Sequence, residues 1–321
     1  MAQVFGYAGT YASPEAPGTY RFSLDTETGA LSEPQLLYRQ PNTKYSGIYR
    51  GLLATMTEKD GQAGLALLPA DAPEKLDTLL TEKVTGCFLT WHEGLIYTTN
   101  YHDGHVLVYA PVDGRLELRR RIFVGEEAGC HQALFHGRYL LVPCLCLDEV
   151  RIFDLEEDCV LVGKLEFPKG TGPRHGVFDK AHGRMFLVSE TTDQLFTYRV
   201  EGLRFTLEST LELLPEGDFQ KPQAAAIRLS EDERTLYVSI RGADMIVVLD
   251  VSGREPRILQ HADAQGRGPW DLMLVPGGQY ILVSDRDTDQ VLSIALRRDG
   301  TLGEVQGRVT IPRCVGLSLE I

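Results

Sequence analysis

What the sequence lacks narrows the field before any motif is read. It contains no uninterrupted apolar run approaching the ~18 residues that a membrane-spanning helix needs, so no such span is expected. The opening Met1-Ala2-Gln3-Val4-Phe5 has no basic stretch leading into an apolar one and no small-residue cleavage signal, which points to a cytoplasmic protein. Basic residues are in deficit: 32 Lys and Arg stand against 45 Asp and Glu, a formal net charge of −13. No basic segment offsets that balance, so nucleic acid is not an expected partner. Cysteine is sparse. Cys87, Cys130, Cys144, Cys146, Cys159 and Cys314 are scattered, mostly in apolar contexts, as suits buried thiols rather than a disulfide framework. Cys144-x-Cys146 has no second Cys or His pair at zinc-ligand spacing, so neither a structural metal nor a cofactor is expected. Helical periodicity is almost absent. No Gly-x-Gly-x-x-Gly, P-loop or Ser-elbow pattern occurs in the strand and helix context that its chemistry requires.

What is present is one unit repeated. Asn100-Tyr-His-Asp-Gly-His-Val106, Cys144-Leu-Cys-Leu-Asp-Glu-Val150, Ser189-Glu-Thr-Thr-Asp-Gln-Leu195, Ile240-Arg-Gly-Ala-Asp-Met-Ile246 and Asp285-Arg-Asp-Thr-Asp-Gln-Val291 each join two β-rich apolar stretches. Asp148, Asp193, Asp244 and Asp289 share one column, where a short polar side chain can close a hairpin turn. Weaker copies begin at Thr57 and near Thr10, and successive units lie 43 to 51 residues apart. Seven units of four short strands predict an all-β, seven-bladed propeller occupying residues 1–321 as one domain. Glu201 to Pro222 reads as the longest irregular insertion. The first unit lacks its first strand, and Pro312-Arg-Cys-Val-Gly-Leu-Ser-Leu-Glu320 is an orphan. Pairing the two would close the ring and remove its bare sheet edges.

In a propeller the innermost strands line a central channel. Aligning their starts, about 14 positions before the hairpin column, gives Phe88, His131, His175, Ala226, Asp271 and Cys314, preceded by Cys87, Cys130, Arg174, Ala225, Trp270 and Arg313. The position after the hairpin start gives Glu58, Tyr101, Leu145, Glu190, Arg241 and Arg286. Histidines, arginines and an acid therefore converge on one channel mouth, which suits a small anionic substrate carrying carboxylate or phosphate. The other histidines, His92, His102, His105, His136, His182 and His261, fall in turn contexts and are expected in solvent.

Gly172-Pro-Arg-His175 with Ser189-Glu190, Gly129-Cys-His131 and Ser239-Ile-Arg241, together with the opening Tyr7-Ala-Gly-Thr-Tyr11 and Thr28-Gly-Ala-Leu31, make the chain resemble the seven-bladed lactonase family. That family includes propeller-type 6-phosphogluconolactonases and carboxymuconate-lactonising enzymes. The resemblance spans nearly the whole chain and implies a central-cleft site with no obligatory metal. Its proposed catalytic set falls on His131, Arg174, Glu190 and Arg241. The chain departs from the family at Ala226, where relatives usually show Asp or Glu, and at Cys87-Phe88, where a polar pair is common.

The chemistry can be argued beside the resemblance. Lactone hydrolysis needs water activated near neutral pH, and an imidazole is the natural base. Guanidinium groups can serve the developing oxyanion, and a carboxylate can orient them. His131 is the expected base, with Glu190 its rival. Arg174 would polarise the carbonyl or hold a carboxylate, Arg241 would bind the distal anionic group, and His175 and Arg286 would be rim contacts. Other readings remain open: a capping role for His131, an inter-blade Arg174–Glu190 ion pair, a turn acceptor at Asp271, and packing roles for Tyr101 and Trp270. The expected activity is a 6-phosphogluconolactonase-like hydrolase of sugar-acid lactones. The alternatives are a lactonising cycloisomerase acting on a dicarboxylate, and a non-catalytic propeller that binds a ligand or protein.

Overall fold

The apolar stretch of each unit is buried on both faces, because each sheet is covered by a sheet on either side. The computed structural model describes residues 3–320 apart from 73 and 218, which form seven four-stranded antiparallel sheets. Blade 1 contains β1 (Gln3–Thr10), β2 (Gly18–Asp25) and β3 (Gln35–Arg39). Blade 2 contains β4 (Ser46–Tyr49), β5 (Leu52–Lys59), β6 (Gln62–Pro69) and β7 (Asp77–Glu82). Blade 3 follows with β8 (Phe88–His92), β9 (Leu95–Asn100), β10 (His105–Val112) and β11 (Arg115–Phe123). Blade 4 is β12 (Leu134–His136), β13 (Tyr139–Cys144), β14 (Glu149–Asp154) and β15 (Val160–Glu166). Blade 5 is β16 (Pro173–Phe178), β17 (Arg184–Ser189), β18 (Gln194–Glu201) and β19 (Arg204–Glu212). Blade 6 has β20 (Gln223–Leu229), β21 (Thr235–Arg241), β22 (Met245–Asp250) and β23 (Arg257–Asp263). Blade 7 has β24 (Pro269–Leu274), β25 (Tyr280–Asp285), β26 (Gln290–Leu296) and β27 (Leu302–Thr310). The last strand, β28 (Cys314–Leu319), pairs with β1 through Gly6↔Leu319, Tyr7↔Ser318, Ala8↔Leu317 and Thr10↔Cys314. The ring closes as its complementary ends require.

Burial follows strand position. All seven residues of β21 are buried, whereas the outer strand β23 alternates exposed and half-buried residues along its length. Each seam between neighbouring blades has its own apolar cluster. At the closing seam Phe22 and Leu24 of blade 1 meet Leu282 and Val291 of blade 7, while Met185 and Leu187 meet Leu141 and Ile152 across the seam of blades 4 and 5. Burying one such side chain contributes ~1.5–3 kcal/mol.

The aspartate column does more than close hairpins. Asp148, Asp193, Asp244 and Asp289 all take the left-handed conformation, with φ of 50° to 55°. Each carboxylate then accepts a backbone N–H from the start of the next inner strand or the segment leading into it. Asp148 takes Gly170 and Gly172 (both 2.8 Å), Asp193 takes Ala224 (2.6 Å), Asp244 takes Gly268 (2.8 Å) and Asp289 takes Arg313 (2.7 Å). In blade 3 the equivalent position is Gly104, at φ 62°, where a Cβ would lie 1.7 Å from the Gly125 carbonyl oxygen.

Two expectations are corrected. Residues 204–212 of the supposed irregular insertion form the outer strand β19, whose half-buried and exposed residues intermingle as on an outer edge. Several turn histidines are packed rather than solvated. His92 stacks on Phe135 with 3.6 Å between centroids, and His136 and His182 both stack on Phe178, whereas His261 stays exposed with Nε2 2.8 Å from the Leu213 carbonyl. The His92 and His136 contacts come from the neighbouring blade, so local turn chemistry carries no trace of them.

Candidate active site

Two positions in each blade meet at the same end of the channel. The first lies at the start of the inner strand. In blade 5 the register slips between Pro173 and His175, which throws Arg174 out of the ladder, and the slip between Pro269 and Asp271 does the same for Trp270. The second lies at or just past the end of the next strand. Glu190 N donates to the Gly172 carbonyl (2.8 Å) and Arg286 N to the Gly268 carbonyl (3.1 Å), so the hairpin is tied back to the start of the inner strand.

Five of the six candidate residues form one connected cluster. Arg174 is fully buried and donates from Nε to Glu190 Oε2 (2.8 Å) and from Nη1 to the Ala225 carbonyl (2.6 Å). Arg241 brings Nη2 to within 2.8 Å of the same Glu190 oxygen, while Gln223 Nε2 donates to the other oxygen (3.1 Å). Arg174 Nη2 and Arg241 Nε are buried donors without a partner among the described residues. Arg174 Nη1 also lies 3.2 Å from His175 Nδ1, and His175 Nε2 lies 3.2 Å from His131 Nδ1. Arg286 joins through Trp270. The Arg286 and Arg241 guanidiniums lie 4.3 Å and 4.2 Å from the indole centroid, and Arg286 is further tied to Asp287 (2.7 Å).

The charges follow from burial. Both imidazoles are held well below the ordinary histidine range, chiefly by burial and then by the Arg174 guanidinium, so both are neutral at pH 7. Arg241 is lowered to about 10 by burial and by Arg174. Arg174 Nη1 lies over the His175 ring, 3.2 Å from Nδ1 and 3.5 Å from Nε2, and in the contact between His175 Nε2 and His131 Nδ1 one neutral imidazole donates and the other accepts.

The neighbouring candidates separate by role. Asp271 sits below the mouth, accepting from Arg228 Nη2 (2.6 Å), Leu272 N (2.8 Å) and Leu317 N (3.0 Å). Those contacts make it a latch between blades 6, 7 and 1. Phe88 puts its ring edge-on to His175 at 5.4 Å, and Ala226 N donates to Ser239 Oγ (3.0 Å). Tyr101 OH pairs with Cys146 Sγ (3.2 Å) while its ring lies 6.1 Å from that of His131. Sequence reasoning missed Lys44 and Tyr11. Ser46↔Thr55 in blade 2 stands where Gly176↔Leu187 stands in blade 5, so Lys44 is the register counterpart of Arg174. The weak copy at Thr57 was the signal that could have found it. Tyr11 packs edge-on against Trp270 at 5.6 Å.

This arrangement can be set beside known proteins. The family described as a seven-bladed β-propeller lactonase matches residues 5–318. The chain belongs to that family. A 6-phosphogluconolactonase of Bacillus subtilis is 26% identical over 97% of both chains. Among solved structures, a protein of Lactobacillus plantarum superposes on this family member with a TM-score of 0.92 at 26% identity, covering all of both chains. A periplasmic gluconolactonase of Pseudomonas aeruginosa shares the fold, with a TM-score of 0.90 at 21% identity over 100% of this chain and 99% of its own.

Proposed function

We propose that this lactonase-family chain hydrolyses sugar-acid lactones of the 6-phosphogluconolactone type at the channel mouth. The observation that carries the reading is Glu190, whose one carboxylate oxygen is shared by Arg174 and Arg241 beside two neutral imidazoles. The name of the Bacillus subtilis relative supports the substrate class.

Lactone hydrolysis forms a bond from water oxygen to the acyl carbon and breaks the bond from that carbon to the ring oxygen. The water proton must leave, and the departing alkoxide must gain one. In the tautomer that accepts from His175 at Nδ1, His131 carries its N–H on Nε2 and serves as a donor to the carbonyl oxygen as negative charge develops there. Arg174 adds positive potential behind it. The base is then Glu190, which takes the water proton and returns it to the ring oxygen. The two guanidiniums hold its carboxylate in place through both transfers.

Two substitutions separate the donor and base roles of His131. His131→Gln keeps an N–H donor and loses a base, whereas His131→Ala loses both. On 6-phosphoglucono-δ-lactone, His131→Gln is expected to stay within about tenfold of wild-type kcat, and His131→Ala to fall by ~10²–10³. Equal loss in both variants would return the base role to His131. Unimpaired turnover in both would remove the site from this mouth.

A further inference from the structure

Three cations at the mouth have carboxylate partners: Arg174 and Arg241 share Glu190, and Arg286 pairs with Asp287. Lys44 has none. Its residue is only 9% exposed, yet among the described residues no carboxylate comes within ion-pair distance of its ammonium. Nζ makes one long contact, 3.4 Å, with the Thr85 carbonyl and otherwise lies 5.4 Å from the Tyr11 ring centroid. An ammonium carries three donors, so most of this one's hydrogen-bonding capacity is unspent. Burial pulls it below the ordinary lysine range, even though Cys87, Glu58 and Glu82 favour the charged form.

Its position is as telling as its solvation. Lys44 occupies in blade 2 the strand position that Arg174 occupies in blade 5, so both side chains start from the same end of the channel on different arcs of the ring. A continuous aromatic floor joins them: Lys44 over Tyr11, Tyr11 against Trp270, and Trp270 under Arg241 and Arg286. A ligand resting on that floor would meet the Glu190 cluster at one end and an uncommitted ammonium at the other.

We propose that Lys44 anchors the phosphate of a phosphorylated sugar lactone while the ester end lies at His131, Arg174 and Glu190. The proposal rests on the lactonase reading and moves the distal-anion role from Arg241, whose charge is already shared with Glu190, to Lys44. A partly desolvated ammonium gains most from a compact dianion that fills its remaining donors.

The test compares wild type with Lys44→Met and Lys44→Arg on two substrates, 6-phosphoglucono-δ-lactone and glucono-δ-lactone. The ratio of kcat/KM for the phosphorylated over the plain substrate is expected to fall 10–100-fold in Lys44→Met, through KM, and to recover in part in Lys44→Arg. A ratio unmoved by Lys44→Met overturns the anchor. Calorimetric titration with 6-phosphogluconate and with gluconate reads the same preference without turnover. Wild type should favour the phosphorylated acid by at least tenfold, and Lys44→Met should lose that preference. If that pattern appears without any lactone hydrolysis, the anchor stands and the lactonase reading falls. No phosphate preference in wild type overturns the anchor even if hydrolysis is found. Thermal melts confirm folding, and Lys44→Gln replaces Lys44→Met in both assays if the latter does not fold.

Discussion

Asp285 shows how one side chain ties the site's surroundings to pH. It ends β25 fully buried, with Oδ2 accepting from Gln290 (3.0 Å) and Oδ1 without a partner among the described residues. Burial lifts it to about 7, and burial does the same to Glu82. The folded protein therefore keeps protons that the unfolded chain releases above pH ~4, so these two groups weaken the fold as pH rises toward and through 7. His131 and His175 act oppositely: the unfolded chain takes up protons below pH ~6.5 that the folded protein refuses, so their contribution falls as pH drops. Asp285→Asn isolates the first effect. It is expected to raise stability on the order of 2 kcal/mol at pH 8, with the gain shrinking toward pH 4, as followed by thermal melts across that range. A gain that does not vary with pH would assign it to packing. The same scale shows where the sequence stops being legible. Glu190 and Arg241 stand out because their hairpin column repeats in strong copies. Lys44 does not, because its blade carries one of the two weaker copies. Trp270 reads as packing from its neighbours alone. Only the folded ring shows it stacked by guanidiniums from blade 6 and from its own blade.

At the scale of the element, the hairpin aspartates set where each inner strand begins. Asp289 is the sharpest case, because the N–H it accepts, from Arg313, belongs to the segment leading into the closing strand. Asp289→Ala would lose that hydrogen bond and place a β-carbon residue without local side-chain bonding at φ 55°. A loss of about 2 kcal/mol is expected in urea titration, whereas Asp289→Asn, which tolerates the left-handed region and keeps an acceptor, should lose far less. Equal losses would mean that charge rather than geometry matters there. The column itself was readable as turn chemistry. Its second function was not, because the N–H groups it accepts lie 22 to 31 residues further on, in the approach to another blade. The outer strand β19 was hidden for a related reason. Its short alternation lies on a solvent-facing edge, where polar and apolar residues mix much as they do in a loop.

For the whole molecule, the repeat and its complementary ends predict both the number of blades and the closure, because seven like units with one missing and one surplus strand admit a single ring. Stability is then shared among the seams. Removing residues after Thr310 deletes β28, bares the edge of β1 and opens the seam between blades 7 and 1. Such a truncated chain is expected to lose its cooperative thermal transition, and an unchanged melting temperature would show that the clasp is dispensable.

That clasp also has a consequence for biosynthesis. β1 and its partner β28 are separated by about 300 residues of chain, which a ribosome adding about 5–20 residues per second takes roughly 15–60 s to deliver. Throughout that interval the nascent first blade offers an unpaired strand to any neighbouring polypeptide. In a crowded polysome that edge stays open to strand exchange until the chain's own β28, the last strand made, is free to pair with it.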